Sequence, residues 1–242
     1  MKKAFLILVL LTTSSYGALI PAPINSGEVK ITYPCFVLDK LVKENEESQK
    51  IIFYEKEGNR LSELGLNYRY RVNSEQEEDL TLKFRPKDNQ KLLVEDQIYA
   101  ELSMSNHGEL KCEADVIYDT SKPKFVSTCS FKSPGKDLTP EHDEFLKMVE
   151  VSAPLLSNLR EVVVKATKWK LITDESIFKK RPTIEVWRFR NECILEVSAK
   201  FEGMENALPS LKALKSLIKY APSPVQGNKT SRVLQDSPRF YK

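Results

Sequence analysis

Between Asn67 and Arg85 the chain twice sets two cations two residues apart with an aromatic ring between them, as Arg69-Tyr70-Arg71 and as Lys83-Phe84-Arg85. Successive side chains of a β-strand point to opposite faces. Both cations of a pair therefore share one face, and Tyr70 and Phe84 take the other. The spacing recurs in Lys168 and Lys170, and again in Arg188 and Arg190. A single pair of this kind reads most simply as a solvated strand face. Four pairs favour a common inward face, because a sheet closed on such a face has a basic lumen suited to polyanions.

The rest of the pattern is mostly β. Segments near 28–33, 50–55, 66–73, 79–85, 97–104, 109–118 and 124–132 read as strands separated by polar turns, which favours antiparallel pairing. Val37–Glu47 reads as a short helix. Thr139 followed by Pro140 marks a helix start, and Phe145, Met148, Val149 and Val151 follow at helical spacing. Strand patterns return at 161–172, 183–190 and 192–200. Over 207–220, Leu208, Leu211, Leu214, Leu217 and Ile218 form one helical face. The expected fold is α+β and mainly β, an antiparallel closed β-barrel with a few peripheral helices. It forms a single domain over 18–220, and 221–242 reads as a mobile C-terminal tail.

Residues 1–17 read as a signal peptide. Lys2 and Lys3 precede the apolar run Ala4–Leu11, and Ser15 and Gly17 supply small residues for a cleavage site. The run is too short to span a bilayer. The expected location is periplasmic or secreted. This segment holds two lysines and no acid, so the formal charge falls from +3 to +1 without it. A nearly neutral chain does not suit general nucleic-acid binding, and any basic site must come from local arrangement.

Export permits disulfides, and the chain has four cysteines, Cys35, Cys112, Cys129 and Cys193. None forms a C-x-x-C pair. Cys112 and Cys129 flank an expected hairpin, which favours that bridge and leaves Cys35 with Cys193, although three connectivities are open. The two histidines offer little for catalysis. His107 precedes Gly108 in a turn, and His142 falls in the first turn of an expected helix, where it should be exposed. With eight glycines in all, there is no glycine-rich phosphate loop.

The ordered set Phe53-Tyr54-Glu55, Leu61, Gly65, Arg69, Arg71 and Thr81-Leu82-Lys83 resembles the CYTH superfamily. This group of triphosphate tunnel proteins includes thiamine triphosphatases, inorganic triphosphatases and class IV adenylate cyclases. Glu55 stands where the family has Asp. The resemblance implies that cations grip phosphate oxygens, here Arg69, Arg71, Lys83, Arg85, Lys168, Lys170 and Arg188. It also implies that carboxylates hold Mg or Mn, here Glu28, Glu113, Asp115 and Glu196. The family's opening E-x-E-x-K strand reads Glu28-Val29-Lys30-Ile31-Thr32 in this chain, and its closing E-x-E reads Glu196-Val197-Ser198. Lys30 at an expected metal-ligand position repels a metal and is suited to bind phosphate directly. Three functions are therefore open. One is a metal-dependent phosphohydrolase acting on triphosphate or short polyphosphate. Another is a catalytically inactive barrel of the cell envelope that binds an anion or a protein. The third is a disulfide-braced structural protein without a ligand.

Overall fold

The computed structural model describes residues 18–35, 43–86, 92–118, 122–173, 176–190, 192–218, 221–225 and 229–235. The signal-peptide segment lies outside these residues. The strands are β1 (Leu19–Pro21), β2 (Ser26–Pro34), β3 (Lys43–Glu55), β4 (Leu66–Asn73), β5 (Glu78–Phe84), β6 (Leu93–Glu95), β7 (Glu109–Tyr118), β8 (Pro123–Pro134), β9 (Arg160–Leu171), β10 (Thr183–Phe189) and β11 (Glu192–Glu202). The helices are α1 (Arg60–Glu63), α2 (Asp96–Ser103), α3 (Pro140–Met148), α4 (Ala207–Leu217) and α5 (Lys229–Gln235).

Nine strands close into one barrel in the order β10-β11-β2-β7-β8-β5-β4-β3-β9, and β9 pairs back to β10. The sheet is antiparallel except where β2 runs parallel to β7. That pair is distant in sequence, and alternation alone does not distinguish parallel from antiparallel pairing. β1 and β6 form a separate two-stranded sheet.

Alternation along each strand sorts the core into two outer layers and one inner plug. Outside, Val29, Ile31, Val116, Ile184, Val186 and Val197 pack under α4 through its Leu211 and Leu214. On the opposite wall, Tyr68, Tyr70, Leu80, Leu82 and Phe131 pack against Phe145, Leu146 and Met148 of α3 and Leu102 of α2. Tyr70 and Phe84 thus face outward, as their cationic neighbours require. A third cluster joins Ile51, Phe53, Val164, Ala166, Trp187 and Ile194 with Val233 and Leu234 of α5. Its strand residues share the parity of Gln49, Lys168, Glu185 and Glu196, so the cluster lies inside the barrel and fills one end.

The structure departs from the sequence reading at several places. Residues 96–103 form α2 instead of a strand, because the Glu95 side chain caps the helix by accepting the Ile98 N–H at 2.6 Å and Leu102 is buried against α3. Lys43–Glu47 opens β3, with a bulge between Glu44 and Glu47, whereas the expected helix began at Val37. Residues 37–42 of that segment lie outside the described residues. His142 is fully buried. Its Nδ1 accepts the Thr139 N–H at 3.0 Å in a capping box, and its ring meets Phe131 edge-on. Leu208 is exposed on α4, while Leu211, Leu214 and Ile218 are buried. Within the stretch read as a tail, the Val225 N–H donates to Thr32 O at 2.8 Å and Lys229–Gln235 form α5.

Both expected disulfides are present, Cys112–Cys129 and Cys35–Cys193. The first joins directly paired positions of β7 and β8. The second ties the end of β2 to the start of β11.

Candidate functional site

The barrel encloses a cavity of about 1650 Å³. Among the described residues, fifteen Lys or Arg and five Glu line it. Two-residue alternation produces this wall. β2 presents Glu28 and Lys30, β4 Arg69 and Arg71, β5 Thr81 and Lys83 with Arg85 just beyond, and β9 Lys168 and Lys170. Gly65 sets the approach to β4. Its φ is +81°, the Arg85 N–H donates to its carbonyl at 2.8 Å, and a Cβ there would strike the Arg85 carbonyl. Glu55 organises the neighbouring turn and does not face the cavity. It is 1 % exposed and accepts N–H groups from Lys56, Leu61 and Ser62 at 2.8–3.0 Å.

The carboxylates fall into two groups. Glu28, Glu113 and Asp115 each offer an oxygen within 4.8 Å of the others, a spacing that could hold a metal ion. That space already contains ammonium groups. Lys30 Nζ lies 3.0 Å from Glu28 and 2.8 Å from Asp115, and Lys83 Nζ lies 3.1 Å from Asp115 and 3.6 Å from Glu113. Arg85 also bonds Asp115, and Lys111 bonds Glu113. These ammonium and guanidinium groups compete with any divalent ion for the three carboxylates.

Glu196 stands apart from that group. It pairs with Lys229 of α5 at 2.9 Å, and Lys229 also bonds Glu185 and lies 4.4 Å from the centre of the Trp187 ring.

The electrostatics follow from this layout. Burial would raise the Glu28 carboxyl, but Lys30 beside it holds it down to about 2. Burial likewise opposes ionisation of Asp115, and the charges of Lys30, Lys83 and Arg85 outweigh it, keeping that carboxyl well below the usual range. Lys83 is pushed down to about 8 by burial and by Lys30 and Arg85, against the pull of Asp115. Arg69 is lowered to about 10 by burial and by Arg71. Arg71 is compensated by Asp79 at 3.0 Å, whereas the buried Arg69 Nε has no partner among the described residues. Lys170 and Lys200 are lowered by burial and then by neighbouring lysines. Cations that repel one another in this way gain from an anion placed between them.

Of the expected phosphate-gripping residues, Lys30, Arg69, Arg71, Lys83, Arg85, Lys168 and Lys170 all line this cavity, but Arg188 does not. Arg188 shares the parity of Ile184 and Val186, which pack in the outer core, and it is exposed. The inner positions of β10 are Thr183, Glu185 and Trp187. Of the expected metal ligands, Glu28, Glu113 and Glu196 line the cavity, while Asp115 lies behind them with no exposure. Lys111 and Lys200 were missed, although each follows the two-residue rhythm from Glu113 and Ser198. Lys229 carries no local signal.

No family model and no curated protein matches the sequence. Solved structures do match. A candidate adenylate cyclase from Bacillus halodurans aligns at a TM-score of 0.54 and 9 % identity, over 86 % of this chain and 98 % of its own. HpAC1 from Hippeastrum, a candidate adenylyl cyclase with a dominant triphosphatase activity, aligns at a TM-score of 0.50 and 10 % identity, over 88 % and 95 %. The closed barrel, its inward cations and these neighbours together give this chain a CYTH-like fold.

Proposed function

We propose that the lumen binds triphosphate or short linear polyphosphate, and that the protein works outside the reducing cytoplasm. The observation that carries this reading is the charge of the cavity wall, fifteen Lys or Arg against five Glu. Phosphate oxygens suit such a wall, since arginine offers a planar fork of donors and lysine a mobile point charge. Arg69, whose buried Nε has no hydrogen-bond partner among the described residues, is the natural first contact, and Lys170 and Lys200 extend the grip along the lumen. Two disulfides and the N-terminal signal pattern support export. Among the described residues no helix is long and apolar enough to cross a membrane.

Binding without turnover is favoured over hydrolysis. The carboxylates that would place a divalent ion are engaged by lysine and arginine, so no catalytic step is assigned to a metal. The spacing of Glu28, Glu113 and Asp115 supports metal-dependent phosphohydrolysis as a second reading. Titration calorimetry with tripolyphosphate in the presence of a chelator tests the first reading, which expects binding that weakens steeply with added salt. Absence of binding would refute it. Rapid phosphate release with Mg²⁺ or Mn²⁺ would establish the second reading instead.

A further inference from the structure

We propose that Lys30 is a tethered counter-cation, standing in the acidic cluster of Glu28, Glu113 and Asp115 where a divalent ion would otherwise be held, so that the lumen retains its anion without metal. The proposal deepens the anion-binding reading above and rests on it for the identity of the ligand.

The first cluster is Glu28, Glu113 and Asp115. Lys30 Nζ lies 2.8 Å from Asp115 and 3.0 Å from Glu28. Asp115 is fully buried and takes charged donors from Lys30, Lys83 and Arg85. A carboxylate has about four lone-pair sites, so three charged donors leave little for a metal. Mg²⁺ and Mn²⁺ require several free oxygen ligands, and a protonated ammonium cannot be one. β2 is paired on both sides, to β11 and to β7, so the Lys30 Cα and the inward direction of its side chain are fixed.

A second lysine stands between two carboxylates elsewhere in the lumen. Glu185 and Glu196 flank Lys229, whose helix is anchored in the inner apolar plug by Val233 and Leu234. This lysine comes from a different element and a distant part of the chain.

The arrangement also gives Lys30 a direct role. An ammonium has three N–H donors. Two are directed to Glu28 and Asp115, and Lys30 also lines the cavity, so the third can meet a phosphate oxygen. It thus joins a carboxylate floor to an anion, as a bridging cation would.

The experiment titrates Mn²⁺ alone into full-length protein freed of metal by chelation, followed by calorimetry and by loss of the free-ion paramagnetic signal. Wild type should take up no stoichiometric Mn²⁺ at micromolar concentrations. Lys30→Gln removes the positive charge and should bind one ion at least tenfold more tightly than wild type, while Lys30→Arg should match wild type. Micromolar Mn²⁺ binding by wild type overturns the proposal. So does a folded Lys30→Gln protein, verified by circular dichroism, that gains nothing. If Lys30→Gln does not fold, the wild-type titration decides alone. Failure of tripolyphosphate to bind would refute the ligand reading and leave the Mn²⁺ result standing, so the two failures are separable.

Discussion

Arg69→Met gives the most discriminating test of the lumen, because Arg69 and Arg71 share a face but not a situation. Arg71 is held by Asp79 at 3.0 Å, while the buried Arg69 Nε is unpartnered and the guanidinium is depressed to about 10 by burial and by Arg71. A charge-assisted hydrogen bond to a phosphate oxygen contributes about 1.5–3 kcal/mol. Removing it should weaken tripolyphosphate binding roughly 10- to 150-fold. Arg71→Met should cost less, since part of the Arg71 charge is already compensated. Arg188→Met, on the outer face, should change nothing. Arg69→Met should also stabilise the empty protein, because a charge opposed by burial and by Arg71 serves binding and not folding. The expected gain is about 1 kcal/mol, or about 2–4 °C in Tm. Calorimetry and thermal unfolding of the three variants read both effects. Unchanged affinity in Arg69→Met, or an equal loss in Arg188→Met, would refute the reasoning.

Further outcomes follow from the charge pairs. Lys83 has a folded-state pKa of about 8, below its ordinary value of 10.5, so it loses its proton early as pH rises. Anion affinity should therefore fall between pH 7 and pH 9, and Lys83→Arg should remove that fall in calorimetry across the range. Glu28 is depressed from 4.5 to about 2, so its contribution is complete above pH 4.5 and is lost as pH falls toward 2. Glu28→Gln should flatten that acid loss by on the order of 3 kcal/mol in denaturant titrations. Lys229→Met leaves Glu185 and Glu196 without their partner and should destabilise by about 3–5 kcal/mol, with recovery when Glu185→Gln is added. Non-reducing peptide mapping should find Cys112 joined to Cys129, a bridge contributing about 3 kcal/mol in the chain-entropy view.

The inward cations were legible where a strand has one polar and one apolar face. Arg69 and Arg71 alternate with Tyr68 and Tyr70, which are buried outside, so the register follows from the sequence. β10 offers no such contrast. Ile184 and Val186 are apolar outward, and Trp187 and Phe189 are apolar toward the inner plug, so nothing local indicates which face Arg188 takes. The segment of α2 contains Ile98 and Tyr99, which suit a strand equally well, and only the Glu95 cap distinguishes the helix. His142 stands in the first helical turn, a position usually solvated, yet tertiary packing on Phe131 buries it. Lys229 and the parallel pairing of β2 with β7 depend on contacts far apart in the chain, and local periodicity carries no trace of them.

A crystal structure of the protein with tripolyphosphate, grown in the presence of a chelator, tests the central claim most directly. Phosphate density is expected inside the barrel, against Arg69 and toward Lys170 and Lys200, with Lys30 still bonded to Asp115. Density on the outer face, or a phosphate held through a metal ion that has displaced Lys30 from Asp115, would contradict it.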